Sequence, residues 1–401
     1  MAVTGSITTR FIDEKGLDLG KTLIEKDYLI SVYPNIVNQL DTPMLMGWGS
    51  NGSGKLGDNT QVSKSSPVQT IAYGANWKQV SCGYSTAAIK TDGTLWTWGY
   101  NLNGELGDNT VSSRSSPVQT IALGTNWKQV SSAITSMAAI KMDGTLWTWG
   151  KNIYGQLGDN TITPRSSPVQ TVAFGTNWKQ VACGDNFMAA LKTDGTLWTW
   201  GLDNGGNLGD NTGTSKSSPV QVIGFANTWK QVSCSIGYHV AAIKTDGTLW
   251  CWGLNFSGNL GDNTTTKRSS PVQTVAGGTN WKQVSCGNYI TAGIKTDGTL
   301  WTWGDNSVAS LGDNTTTNRS SPVQTVARGT NWKQISTGTL SGFSCIKTDG
   351  TLWSWGFNLY GQLGDNTRTN RSSPVQTVIG GNTWKFVSSY RSTFAIKDGD
   401  I

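Results

Sequence analysis

Residues 87–99 read AAIKTDGTLWTWG, and this stretch decides the fold. Asp92-Gly93 is a turn pair that accepts positive φ, and it separates an apolar run from the alternating Leu95-Trp96-Thr97-Trp98, which predicts a β-hairpin. Trp96 and Trp98 stand two residues apart and share one face of their strand, an arrangement suited to sheets stacked with aromatic wedges between them. The pattern recurs. A Trp-Gly pair begins at Trp48, Trp98, Trp149, Trp200, Trp252, Trp303 and Trp355, spaced 50 to 52 residues apart. Each pair is followed by an LGDNT-like run (Leu56 first, Leu363 last), by SSPVQ around Pro67 to Pro374, and by a Trp-Lys pair (Trp77 first, Trp384 last). All 20 tryptophans belong to this pattern.

Each repeat supplies four strands: AAIK as the expected inner strand, TLWTWG as its hairpin partner, then SSPVQT and NWKQVSC, rich in Val, Thr and Trp. The two ends of the chain complete each other. Phe394-Ala395-Ile396-Lys397-Asp398-Gly399 is the first half of such a hairpin with no TLWTWG after it, and Pro43-Met44-Leu45-Met46-Gly47-Trp48-Gly49 is the second half without its partner. Pairing them makes a seventh blade and removes two open sheet edges. The expected fold is all-β: a seven-bladed β-propeller over residues 43–401, closed by N- and C-terminal strands, with a short N-terminal arm at 1–42.

The order WG…N…G…LG…P..V, seven times in phase from about Met44 onward, resembles the regulator of chromosome condensation repeat family. That resemblance implies a seven-bladed propeller closed by strands from both termini, in agreement with the reading of the residues. The Gly-Gly and spaced Tyr/Trp pattern of kelch propellers is absent, as is the Gly-Trp-Arg-His-Thr pattern of plant ultraviolet photoreceptors of this fold.

Composition argues against catalysis. The 401 residues include 50 Gly and 20 Trp but one His, His239, which has no adjacent nucleophile pattern and stands where other repeats have Ser85, Thr291 or Met188. No catalytic residue, metal or cofactor is expected. Cys82, Cys183, Cys234 and Cys286 occupy one position in different repeats, too far apart for disulfides, and no Cys/His spacing suggests zinc. The Asp of LGDNT lacks calcium-loop spacing, and a Lys or Arg follows six residues later, as in Asp108/Arg114 and Asp262/Arg268, which predicts a bracing ion pair. The net charge of +6 is spread evenly over the repeats, unlike the clustered Lys and Arg of a phosphate-binding surface, so no nucleic-acid partner is expected. No apolar run is long enough for a membrane span, and the start MAVTGSITTR lacks secretory order; a soluble protein made in a cytoplasm is expected.

Variation between repeats concentrates in two sets of loops. The segments after VSC, read as blade-to-blade crossovers, carry Tyr84, Ile134, Phe187, Tyr238, Tyr289, Leu340 and Tyr390. The WG-to-LGDNT loops carry Leu102, Tyr154, Phe256, Val308 and Tyr360. Together they predict an apolar, aromatic partner-binding rim on one face, or side chains that plug the gaps between blades. A second, weaker candidate lies on the opposite face, at Tyr73, Leu123, Phe174 and Phe225, a position that becomes Gly277, Arg328 and Gly380 in later repeats.

The arm is rich in apolar residues, among them Phe11, Ile12, Leu17, Leu19, Leu23, Tyr28, Leu29 and Tyr33, and is expected to dock. Its GxDLGKxLIxKDYLIxxYP character resembles N-terminal segments of propeller proteins of this family encoded by marine bacteriophages. That resemblance implies a non-enzymatic virion structural protein of a tail, baseplate, fibre or head appendage, made in the host cytoplasm. Its arm would bind other virion proteins and its propeller would meet a host surface ligand. The alternative is an intracellular adaptor or guanine-nucleotide exchange factor for a small GTPase, and an enzyme-inhibiting propeller is a third reading.

Overall fold

Twenty-eight strands form seven antiparallel four-stranded sheets in the computed structural model, which describes residues 43–71, 76–122, 124–173, 175–224, 227–327, 329–338 and 342–398. The arm with its eight named apolar residues, and Leu340, Tyr73, Leu123, Phe174, Phe225 and Arg328, lie outside the described residues. The first blade runs β3 (Trp77–Cys82), β4 (Ser85–Lys90), β5 (Leu95–Gly99) and β6 (Arg114–Gln119). Five further blades repeat it. The closing blade joins β27 (Trp384–Ser389) and β28 (Ser392–Lys397) to β1 (Met44–Gly49) and β2 (Lys64–Gln69), with Met44 opposite Lys397 and Gly49 opposite Ser392. The expected closure by strands from both ends is therefore present.

Strand order within the blade differs from the sequence reading. The axis is lined by the WKQVSC strands, β3 packing beside β27 on one side and residues 127–132 on the other, and AAIK is second from the axis. Each blade consequently begins with WKQVSC. The segment after VSC is a turn between two strands of one blade, and the true crossover follows SSPVQT on the opposite face, beside the Asp-Gly turns. AAIK is uniformly apolar because it has ladder partners on both sides and blades against both faces. The axial strand leaves one edge unpaired, and unpaired backbone groups must find other partners.

Those partners are side chains of the preceding blade. Gln79 donates through Nε2 to the Val130 carbonyl and accepts the Val130 N–H through Oε1, each at 3.2 Å. Gln129, Gln180, Gln231 and Gln283 repeat both bonds, and Gln334 donates to the Val387 carbonyl. Phe386 occupies this position in the closing blade. A second girdle of Ser hydroxyls, from Ser81 to Ser388, accepts N–H groups of the next axial strand.

Between blades, one sheet presents small and aliphatic side chains and the next presents tryptophan. Ala87, Ile89 and Leu95 of the first blade meet Trp127 and Trp149 of the second. The tryptophan of each WG pair is fully buried, whereas in six of the seven blades a second tryptophan two residues earlier is half-buried and stacks under a lysine: Lys90 sits 4.7 Å from the Trp96 ring and 5.1 Å from Trp77, and Met46 takes that place in the closing blade. The two tryptophans thus divide into wedge and lysine clasp.

LGDNT holds the loop against the neighbouring wedge. Leu106 is buried, and Gly107 has φ +63°, with space for its absent Cβ only 3.0 Å from Trp149 Nε1, so a side chain is excluded twice over. Asp108 Oδ1 accepts from the Thr110 N–H and hydroxyl and from Asn101 Nδ2, and Oδ2 meets Arg114 at 3.4 Å. Asn109 takes φ +61°. The expected ion pair is present in all seven repeats, at 2.8 to 3.9 Å. Burial opposes ionisation of Asp108, and the Thr110, Asn101 and Arg114 hydrogen bonds outweigh it, holding the carboxyl below its usual range. These acids are occupied structurally, and among the described residues no cluster of three or more His, Cys, Asp or Glu is placed to hold a metal.

Candidate interaction face

Asn101 organises its loop from within: Oδ1 accepts the Leu106 N–H at 2.9 Å, and Nδ2 donates to Asp108, to Thr110 and to the Ser112 carbonyl. With Asn101 pinned, the residue after it is thrust into solvent. Leu102 (64% exposed), Ile153, Phe256 (71%) and Leu359 stand at this one position in four blades. Sequence reading found Leu102 and Phe256 but chose Tyr154, Val308 and Tyr360 one residue further on; aligning the loops on their asparagines would have found Ile153 and Leu359. Tyr154 is exposed, Val308 is half-buried, and Tyr360 is half-buried with Phe357 at 6.3 Å.

The inner turns divide. Phe187 is fully buried, 6.3 Å from the Tyr238 ring, and Tyr390 is 6% exposed; both plug gaps rather than face solvent. Tyr289 is exposed. Tyr238 is half-buried, with its hydroxyl donating to Asp185 Oδ2 at 3.0 Å. Tyr84 and Ile134 are half-buried and pack with Ile236 and Tyr390 over the mouth of the axial channel. Beneath them lies a cavity of about 80 Å³ lined by Cys82, Cys183, Cys234 and Cys286. All six cysteines are free, and burial pushes the Cys82, Cys183 and Cys286 thiols up to about 12, which leaves them protonated and unreactive near neutral pH. His239 is fully buried, with Nε2 2.9 Å from the Thr291 hydroxyl, and burial pulls its pKa down to about 3.

One blade breaks the asparagine rule. Asp203 stands where six blades have Asn51, Asn101, Asn152, Asn255, Asn306 and Asn358. Its Oδ2 is buried without a hydrogen-bond partner, and burial, reinforced by the charge of Asp210, pushes its pKa up. The native state therefore holds this proton longer than the unfolded chain, and the penalty grows as pH rises through the ordinary carboxylate range toward the folded value. Asp203→Asn is expected to stabilise the protein by about 1–2 kcal/mol at pH 7, with a smaller gain at pH 4. Urea denaturation of both proteins at the two pH values measures it.

Among the described residues no helix is long and apolar enough to cross a membrane. Several known proteins share the architecture. Human WBSCR16 superimposes with a TM-score of 0.80 at 22% identity, covering 90% of this chain and 100% of that one. Prp20p from Saccharomyces cerevisiae gives 0.79 at 17%, covering 90% and 92%. By sequence, the chain is 29% identical to the ultraviolet-B receptor UVR8 of Arabidopsis thaliana over 58% of its own length and 53% of the receptor's. It is 30% identical to human E3 ubiquitin-protein ligase HERC2 over 59% of its length and 5% of the ligase. It is also 29% identical to mitochondrial RCC1 domain-containing protein RUG3 of Arabidopsis thaliana over 65% of its length and 61% of that protein. The chain thus spans about half to three-fifths of two of these relatives and a twentieth of the ligase. With seven blades closed by β1 and β28 and a family model matching residues 44–394, the chain belongs to the RCC1-like domain family.

Proposed function

We propose that this chain is a protein-binding propeller whose partner docks on the face bearing the asparagine-pinned loops. One observation carries the reading: four loops expose a large apolar side chain at the same position, Leu102, Ile153, Phe256 and Leu359, on a scaffold that is otherwise nearly invariant. Leu102, Ile153, Tyr154, Phe256, Tyr289 and Leu359 are the exposed anchors, with Tyr84, Ile134, Tyr238 and Tyr360 half-buried behind them.

In its more specific form the protein is a virion component, made in the host cytoplasm, with residues 1–42 attaching it to other virion proteins and the propeller displayed to a host surface ligand. The arm's resemblance to phage-encoded segments supports this. A second reading, an adaptor or exchange factor for a small GTPase, draws on the likeness in fold to Prp20p, which is described as binding Gsp1p and histones. Quantitative mass spectrometry of purified particles, with antibody labelling in electron microscopy, separates the two. Stoichiometric presence at a fixed place is expected; absence from particles, with recovery bound to a soluble cellular protein, overturns the virion form. In either case a Leu102→Ser/Phe256→Ser chain is expected to lose tenfold or more in partner capture, because fewer than a third of interface residues carry most of the binding energy.

A further inference from the structure

The residue preceding each LG pair is buried in every blade: Lys55, Glu105, Gln156, Asn207, Asn259, Ser310 and Gln362. In every blade but that of Ser310 its carbonyl accepts the wedge indole of the next blade, as in Trp98 Nε1 to Lys55 O at 2.8 Å. In several blades its side chain also accepts an N–H from its own loop. Glu105 takes that of Asn103, Gln156 that of Tyr154, Asn207 that of Asn204, and Gln362 that of Tyr360. A lysine ammonium has no lone pair and cannot do this. Lys55, 4% exposed, instead points between two rings, 5.6 Å from Tyr84 and 5.7 Å from Tyr390.

A second cation shares that space. The Arg391 guanidinium lies 5.3 Å from the Tyr84 ring, and its buried Nε has no hydrogen-bond partner. Among the described residues no carboxylate pairs with Lys55 or Arg391; the charged group acting on Lys55 is Arg391, and the nearby Cys82 thiol is protonated near neutral pH. A buried ammonium beside a half-buried guanidinium whose buried Nε has no partner is costly in a folded protein. They sit at the seam between the closing and first blades, on the same face as the exposed anchors.

We propose that Lys55 and Arg391 form a receptor for a carboxylate, one oxygen taken by the Lys55 ammonium and the other by Arg391 Nε, between walls formed by Tyr84 and Tyr390. Two separate donor groups match the two oxygens of a planar carboxylate. A phosphate dianion brings more acceptor positions than this pair fills. The site deepens the protein-binding reading by assigning an acidic side chain of the partner to this seam, yet it is tested without any partner, so its failure is distinct from failure of that reading.

The test uses the full chain with fluorotyrosine incorporated, followed by fluorine NMR during titration with acetate, inorganic phosphate or chloride at constant ionic strength. Acetate is expected to shift the Tyr84 and Tyr390 signals saturably, and Lys55→Met and Arg391→Gln are each expected to weaken that response at least tenfold while leaving the remaining tyrosine signals in place. The same acetate response in both variants, or no saturable response in the native chain, overturns the site. A phosphate response stronger than that to acetate overturns the assignment to carboxylate. A variant whose remaining tyrosine signals collapse is replaced by Lys55→Gln, read against the same two outcomes.

Discussion

Replacing Trp303 with alanine is expected to lower the unfolding free energy by about 3–5 kcal/mol, the range for removing a large aromatic side chain from a packed core. Trp303 is fully buried, meets Trp281 edge-on at 6.0 Å, and donates through Nε1 to the Asn259 carbonyl at 2.9 Å. Gly261 lies against the same indole, so the loop that carries the exposed Phe256 rests on it. Trp301→Ala, on the same strand face, is the control. That ring is half-buried under Lys295 at 4.6 Å, and its loss is expected to cost about 1–2 kcal/mol, since it gives up partial burial and one cation–π contact. Guanidinium denaturation of the two variants measures the difference, and equal costs would mean that the wedge and clasp positions are energetically alike.

Lys55→Met is expected to change stability in the other direction. Burial first, and then the charge of Arg391, pull the Lys55 pKa from 10.5 down to about 8. Below about pH 8 both folded and unfolded chains carry this charge, and the native state bears the whole cost of burying it. Between pH 8 and 10.5 the native state releases the proton first, so the unfolded chain binds more protons and native stability rises with pH. A shift of this size corresponds to about 3 kcal/mol, so the methionine variant is expected to be more stable by about 2–3 kcal/mol at pH 7. That advantage should fade by pH 10. The buried thiols tilt both stability curves the opposite way above pH 8.5 and largely cancel in the difference. Paired denaturant titrations at pH 7 and pH 9.5 test this, and an advantage that stays constant across them would mean that Lys55 is not charged in the native state at pH 7.

The repeat, its count and the closure were legible because each rests on a local signal: Asp-Gly for the hairpin, WG for the wedge, and two incomplete ends that fit. The ion pair after LGDNT was legible for the same reason, since its partners lie six residues apart. Strand order was not. Hydrophobicity points to AAIK as innermost, but the strand at the axis must satisfy an unpaired edge, and the glutamine and serine that do so in WKQVSC look like ordinary polar residues until the neighbouring blade is in place. The rim was legible only in part: Phe187 begins a strand and turns inward, whereas Leu102 follows a pinned asparagine and turns outward. Lys55 gave no signal alone. Its meaning depends on the six other residues in its column and on Arg391, more than three hundred residues away.

The glutamine girdle gives the ring a direction. Six of the seven blades reach forward through a glutamine to hold the next, so the propeller is a chain of clasped links rather than a uniform hoop, and one clasp is missing where Phe386 stands. At that junction the closing blade grips the first through apolar packing around Trp98 and Phe394 and through Ser388, without the glutamine amide bonds found at the other six. A hoop strained at any point yields first at its weakest joint, and this joint is also where β1 meets β28 in the adjoining sheet. The ring thus has a built-in point of give, set directly beneath Tyr84, Lys55 and Arg391.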